Sequence, residues 1–226
     1  PGLESQEISP PVEMGWHRRR KSEHYSVLKE YVDEVCELIG IEPWRLTTEW
    51  FVSEDKCLDE EACRIKLAAE VEHFINNIKE RYVKYGIERE PVVFIKNDRG
   101  TYGLGILTIR SGDELLELSN RKMKKLSFGK GRTMNENFLI QEGVPTQFYD
   151  AGPIEPVVYL IDGEAASWFY RVNSKKSDID NLNSPSAIFQ RRDQMPDWLT
   201  SDAEGWHALV AELSMLAMGR EMQVKS

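Results

Sequence analysis

The stretch Pro91-Val92-Val93-Phe94-Ile95-Lys96-Asn97-Asp98-Arg99-Gly100-Thr101-Tyr102-Gly103-Leu104-Gly105-Ile106 constrains this chain more than any other. An apolar, β-branched run ends on a lysine. A glycine-rich turn follows, and Ile106-Leu107-Thr108-Ile109 returns as a second β-rich run. The pattern predicts a strand, a pliable loop and a returning strand. Glycine lets the backbone come near a ligand, and the N–H groups of such a loop can close over phosphate oxygens. Lys96 adds a fixed positive charge on the strand. An ordinary hairpin with an incidental lysine fits the same residues. Familiar phosphate motifs are excluded. No Gly-Lys-Ser/Thr opens a helix, as a P-loop requires. Thr108 stands where a dinucleotide fingerprint needs its third glycine. A protein kinase sets its glycine loop before its strand lysine, the reverse of the order here, and no His-Arg-Asp or Asp-Phe-Gly occurs.

The chain has 226 residues, 41% hydrophobic and 30% charged, which suits one or two domains with a real core. A net charge of -9 argues against a general role on nucleic acid or a membrane surface. No run has the length of a membrane span, and no signal peptide is visible. The odd count of cysteines (Cys36, Cys57 and Cys63) without metal spacing points to reduced thiols in a cytoplasm. The chain opens on Pro1 rather than methionine, as a fragment or a processed product would.

Residues 1–13 read as a polar loop. The run Arg18-Arg19-Arg20-Lys21 stands out in an acidic protein: adjacent cations repel, so an anion is expected nearby. A solvated basic turn and a cradle for a carboxylate or phosphate are both open readings. Helical spacing predicts a helix from Tyr25 to Ile39 closed by Gly40, and after a linker begun by Pro43-Trp44 a second from Leu58 to Tyr85 closed by Gly86. His73 on the second has no partner at metal spacing. A third helix is expected over Asp113–Leu126, with a basic end that continues to Lys130 and Arg132. Strands are expected over Asn137–Val144, Glu155–Ile161 and Ala165–Val172, with Asp162-Gly163 as a two-residue hairpin turn. Arg171 lies near the end of the last strand. Asn181 and Asn183 follow in a loop and face the same way if it is extended. A core helix over Ala203–Met222 ends the chain.

Taken in order, several motifs carry a resemblance. They are Gly15-Trp16-x-x-Arg19-x-Lys21-Ser22-x-His24, Lys96-x-Asp98-x-Gly100-Thr101-Tyr102-Gly103-x-Gly105 and Gln141-Glu142-Gly143-Val144. Then come Glu155-Pro156-Val157-Val158-Tyr159-x-Ile161-Asp162, Phe169-Tyr170-Arg171-Val172 and Asn181-Leu182-Asn183-x-Pro185. The series resembles the proteobacterial glutamate–cysteine ligases of the acidophilic iron-oxidiser class, which belong with the ATP-grasp ligases. The later half is also similar to glutathione synthetase.

The resemblance implies an α+β, ATP-grasp-like fold with antiparallel or mixed sheets and flanking helices, the C-terminal portion of a longer protein. It divides the chain into a helical and basic segment, 1–90, and a nucleotide-binding and catalytic region, 91–226. It implies ATP and Mg²⁺, with glutamate and cysteine as substrates, no nucleic acid or membrane partner, and a cytoplasmic place in glutathione biosynthesis. Lys96 and Arg171 become catalytic, and Lys96, Gly100, Thr101, Tyr102, Gly103 and Gly105 contact or cover the nucleotide phosphates. Gln141, Glu142 and Val144 form a hinge around adenine. Arg19, Lys21, His24, Asn181 and Asn183 lie near substrate, and Asn183 is the metal candidate. Asn181-x-Asn183 has the spacing of the ATP-grasp Glu-x-Asn metal pair without its charge. Another ATP-grasp peptide ligase, or a catalytically silent nucleotide-binding module, remains an alternative reading.

Overall fold

Two four-stranded antiparallel sheets with flanking helices make up the computed structural model, which describes residues 12–15, 18–53, 60–99, 106–119, 121–122, 137–150, 152–201 and 203–225. The glycine loop, with Gly100, Thr101, Tyr102, Gly103 and Gly105, lies outside the described residues, as does the basic stretch 123–136.

The first sheet has the order β1-β4-β2-β3, with β1 Trp50–Ser53, β2 Val93–Asn97, β3 Leu107–Ile109 and β4 Phe138–Glu142. Side chains alternate across a strand, so Val93 and Ile95 share a face with their partners Ile109 and Ile140. That face packs on α2, Glu61–Lys84, whose Leu67, Val71, Ile75, Ile78 and Tyr82 recur at helical spacing. Burying each such side chain contributes roughly 1.5–3 kcal/mol before chain entropy is subtracted. Phe94, Lys96, Gln141 and Trp50 fall on the opposite face. Elements on both sides of residue 90 thus share one core.

The first helix, α1, spans Lys21–Ile39 and starts four residues before the expected Tyr25. Its added turn is capped from outside: the Asp98 carboxylate accepts from the Ser22 N–H at 2.8 Å and the Ser22 hydroxyl at 2.7 Å. At the other end Gly40 adopts φ 72°, and its N–H reaches the Cys36 carbonyl, as expected of a terminating glycine. The helix expected over Asp113–Leu126 is broken: α3 covers Asp113–Leu116, anchored by buried Leu115, helical backbone resumes at residues 121–122, and residues 120 and 123–126 lie outside the described residues. Beyond it Leu118 packs on the core without helical backbone, and Ser119 follows, a weak helix former. The linker after Pro43 is also corrected, because it contains a short 3-10 turn, Pro43–Arg45, and β1. Cys63 is disulfide-bonded, which overturns for that residue the expectation of reduced thiols; Cys36 is a buried free thiol.

The second sheet runs β5-β6-β7-β8, with β5 Gln147–Tyr149, β6 Gly152–Ile161, β7 Glu164–Val172 and β8 Ile188–Arg191. Asp162 and Gly163 form the β6–β7 turn with φ 54° and 96°, the positive values that Asp-Gly pairs accept. One face buries Ile154, Tyr170 and Val172 against Leu199. The last helix, α4 (Glu204–Lys225), packs against β6 and β7 and also meets α1, where Leu213 joins Val32 and Cys36. Through that pair the two sheets are tied together.

Candidate functional site

On the open face of the first sheet the Lys96 ammonium donates to Gln141 Oε1 on the neighbouring strand. Gln141 in turn donates from Nε2 to Thr48 Oγ1 at 2.6 Å, which fixes the amide's orientation. The Tyr25 ring centroid lies 6.0 Å from Lys96 Nζ. Among the described residues no carboxylate forms an ion pair with Lys96. Burial, reinforced by the charge of Lys21, lowers the Lys96 amine to about 8. Burial likewise pushes the Tyr25 phenol up. A half-buried ammonium held by a neutral amide is poised to take an anion.

The basic segment lies beside it, and its members are occupied differently. Lys21 donates to the carbonyls of Asn97 at 2.9 Å and Asp98 at 3.4 Å, so it sits at the end of β2. Burial lowers the Lys21 amine, and the Asp98 charge opposes that shift. Arg19 forms a paired bond to Glu221 of α4, at 2.9 and 3.0 Å. With Glu221 ionised, His24 donates from Nδ1 to the same carboxylate at 2.5 Å and accepts at Nε2 from Ser214 at 3.0 Å. Burial lowers the His24 imidazole. Burial alone would raise Glu221, but the bonds from Arg19 and His24 prevail and hold its carboxyl below the usual range. Of the three basic residues expected near substrate, Arg19 and His24 therefore clamp α1 to α4, and Lys21 turns toward Lys96. Asp98, Glu221 and Ser22 complete this arrangement. Asp98 and Ser22 lay inside the quoted motifs, whereas Glu221 had no local signal.

The residues expected at the hinge split by side. The Gln141 side chain is on the open face, while Glu142 points into the core side and accepts from Trp44 Nε1 at 2.8 Å and Glu49 N at 3.2 Å. Burial raises the Glu142 carboxyl, with those two bonds opposing. Glu142 thus holds the 44–49 segment, and any nucleotide contact from it falls to its backbone. At Gly143 a Cβ would lie 2.5 Å from Val92 Cγ2, and its N–H donates to the Val92 carbonyl at 2.8 Å. Only glycine fits that approach. Val144 stands at the rim of a cleft of about 410 Å³ lined by Tyr25, Leu28, Trp44, Thr48 and Trp50. Its aromatic walls suit a flat apolar ring system.

On the second sheet Arg171 sits opposite Glu155 in the β6–β7 register and is ion-paired with it. Its guanidinium lies 5.8 Å from the Phe189 ring centroid, and its buried Nε has no hydrogen-bond partner among the described residues. In the loop that follows, Asn181 Oδ1 accepts from the Asn183 N–H at 3.1 Å, and both side chains flank buried Leu182 on the exposed side. Asn173, not anticipated from sequence, is fully buried and pins this loop by donating to the Leu182 carbonyl at 3.2 Å and Ser184 Oγ at 2.9 Å. The Asp178 carbonyl accepts from Thr146 N at 2.8 Å and its carboxylate pairs with Arg89 at 2.9 Å, docking the loop beside the hinge. Asn183 is a neutral donor, and among the described residues no group of three His, Cys, Asp or Glu side chains could hold a metal. Magnesium favours carboxylate and phosphate oxygens. These residues do not fit an Mg²⁺ site, and no step below passes through one.

A family model described as "Glutamate-cysteine ligase" matches residues 1–222. A solved protein of Methylobacillus flagellatus KT, described as "Putative gamma-glutamylcysteine synthetase", superposes with a TM-score of 0.85 at 30% identity, covering 98% of this chain and 55% of that one. The chain therefore spans about half the length of this solved relative. A D-alanyl-alanine synthetase A of Vibrio cholerae O1 biovar eltor aligns with a TM-score of 0.37 at 11% identity, over 88% of this chain and 47% of the other, too loosely to support any inference. No curated protein matches the chain. On the family match and the solved relative together, this chain belongs to the glutamate-cysteine ligase family.

Proposed function

We propose that this chain supplies the nucleotide-binding and phosphoryl-transfer part of an ATP-dependent ligase that joins glutamate to cysteine in glutathione biosynthesis. In this reading the fold works as an ATP-grasp, residues 91–226 carry the strand lysine and the catalytic region, and residues 1–90 bring the basic segment and most of the wall of the aromatic cleft. A carboxylate is a poor electrophile because its leaving group would be oxide. Transfer of the ATP γ-phosphoryl group to the glutamate side-chain carboxylate gives an acylphosphate, ADP departs, and the cysteine amine displaces phosphate to form γ-glutamylcysteine. Lys96 neutralises nucleotide phosphate charge, and Arg171 meets the charge that builds on the transferred group. The aromatic cleft beside Val144 takes adenine, and the glycine loop Gly100–Gly105 covers the phosphates. Asn181 and Asn183 lie near substrate. Mg²⁺ belongs to this reading only as the companion of ATP. The biosynthetic role places the protein in the cytoplasm; among the described residues no helix is long and apolar enough to cross a membrane.

The observation that carries the proposal is the Lys96 ammonium, half-buried and without a carboxylate partner among the described residues, beside an aromatic cleft. Calorimetric titration of the 226-residue chain with ATP tests it. Lys96→Ala removes a charge-assisted contact of about 1.5–3 kcal/mol, so affinity is expected to drop roughly ten- to a hundredfold. Absence of ATP binding, or equal binding by the variant, would overturn the reading.

A further inference from the structure

Asn173 lies one residue past β7, and its N–H still extends the ladder by donating to the Pro153 carbonyl at 3.2 Å. Alternation along the strand sets it on the same side of the sheet as Arg171. It is wholly buried there, beneath the returning loop that its side chain binds. Nδ2 donates to the Leu182 carbonyl at 3.2 Å and to Ser184 Oγ at 2.9 Å. Oδ1 accepts from the Lys175 N–H at 3.3 Å and from the Ser186 hydroxyl at 3.1 Å. An amide has two donor and two acceptor positions, and here one loop occupies all of them. A buried polar network that is fully satisfied fixes a single arrangement of the groups it joins.

Other contacts brace the same loop. Leu182 is buried, and its carbonyl accepts a second bond from the Ser184 N–H at 2.9 Å. At the base a Cβ on Gly152 would stand 2.9 Å from Ser174 Cα, so β6 and the start of the loop are in close contact. This bracing leaves Asn181 and Asn183 on the exposed side, flanking Leu182. We propose that Asn173 is a positioning residue: it sets the Asn181–Asn183 segment on the Arg171 side of the second sheet, where the two amides meet the carboxylate of the amino-acid substrate, and it has no part in holding the nucleotide. The inference rests on the proposed function above for the presence of substrate at this loop.

Two calorimetric titrations of the 226-residue chain test it, one with ATP alone and one with glutamate while a non-hydrolysable ATP analogue is bound. Asn173→Asp keeps the shape but turns an oxygen toward the Leu182 carbonyl, where it no longer donates. That carbonyl keeps the Ser184 N–H, so the loop shifts rather than unfolds. Glutamate affinity is expected to fall roughly tenfold and ATP affinity to stay within about twofold. Ser184→Ala removes one of the bonds to Asn173 and is expected to weaken glutamate about threefold; it carries the test if Asn173→Asp does not fold. Ile154→Val, in the core under the same sheet, is the control. It lowers the melting temperature without touching the loop and should leave both affinities unchanged. A loss of glutamate affinity in Ile154→Val equal to that in the loop variants reduces the effect to stability and overturns the positioning role. So does a glutamate affinity indifferent to the loop variants, or an equal loss for ATP. ATP binding with no glutamate binding removes substrate from this loop and overturns the inference alone. No ATP binding at all overturns the proposed function with it.

Discussion

The two sheets each present a cation on an open face, and they hold it in opposite ways. Lys96 on the first sheet is hydrogen-bonded to the neutral amide of Gln141, with a second lysine pressing on it. Arg171 on the second sheet is ion-paired with Glu155 and stacked near Phe189. Among the described residues the first cation has no carboxylate partner, so on the proposed function it would gain a counter-charge when an anion arrives, as a ground-state binding group does. The second already has a counter-charge, so an incoming anion must compete for it. Its buried Nε has no hydrogen-bond partner among the described residues. On the proposed function, the contrast would give binding to the first sheet and rate to the second.

Replacing Arg171 by lysine tests that assignment with the largest expected effect. Lysine keeps the charge but cannot copy the planar fork that donates two aligned bonds. An interaction formed mainly in the transition state lowers kcat and kcat/KM together when it is removed. Loss of one such donor costs on the order of 3 kcal/mol, about a hundredfold in rate, while ATP affinity should change little. Glutamate-dependent ADP release, measured on the longer protein of which this chain resembles about half, reads the effect. Normal kcat with a raised KM for ATP would make Arg171 a ground-state anchor like Lys96 and erase the contrast.

The strand placement of Lys96 and Arg171 was legible in the sequence, because each follows a β-rich run; the partners that hold them were not. The Asp162-Gly163 turn and the Gly40 stop were readable for the same local reason. What escaped was non-local. Asp98 caps a helix more than seventy residues earlier in the chain, and Glu221 collects Arg19 and His24 from the far end of the molecule. Neither pairing leaves a trace in periodicity. Strand β1 was hidden because four residues after a proline-bearing turn show no alternation of their own; they become a strand by pairing with β4. The basic run 18–21 drew attention by charge alone, and charge could not say which of its members faced a ligand and which faced Glu221.

The clamp on Glu221 joins Arg19 and α1 to α4 beside the apolar contact of Leu213 with Val32 and Cys36, and its effect should be intermediate. Glu221→Gln leaves Arg19 without its counter-charge, at a cost on the order of 2 kcal/mol given the partial exposure of the arginine. The pH dependence has a definite sign. The folded-state pKa values of both His24 and Glu221 are depressed, so each contributes stability that is complete above its unfolded pKa and lost as pH falls through the folded one. His24 begins that loss near its ordinary value of about 6.5, and Glu221 continues it below about 4.3. Melting temperature should therefore fall on acidification from pH 7; in Glu221→Gln the fall through the histidine range should be steeper, because the carboxylate that favours the charged imidazole is gone, and the further fall below about 4.3 should be weaker. If the two proteins lose stability in parallel, acid sensitivity lies elsewhere than in the clamp.

The smallest effect is expected from Glu155→Gln, and it tests the comparison most directly because it makes the second site resemble the first. The substitution removes the carboxylate charge but keeps an amide oxygen that can still accept from Arg171, so the guanidinium stays in place with its charge uncompensated. It then stands as Lys96 does beside Gln141. A phosphate approaching this face no longer competes with Glu155. The pair is partly open to solvent, with side-chain exposures of 17% for Arg171 and 31% for Glu155, so screening limits what its removal can release. A gain of about 1 kcal/mol in ATP binding follows, a several-fold tighter affinity, and it should shrink as salt is raised. The expected cost is in turnover: a guanidinium already committed to the ground-state phosphate has less to add as charge develops. Unchanged affinity in Glu155→Gln would mean that Arg171 does not face the phosphates, and the nucleotide would then rest on the first sheet alone.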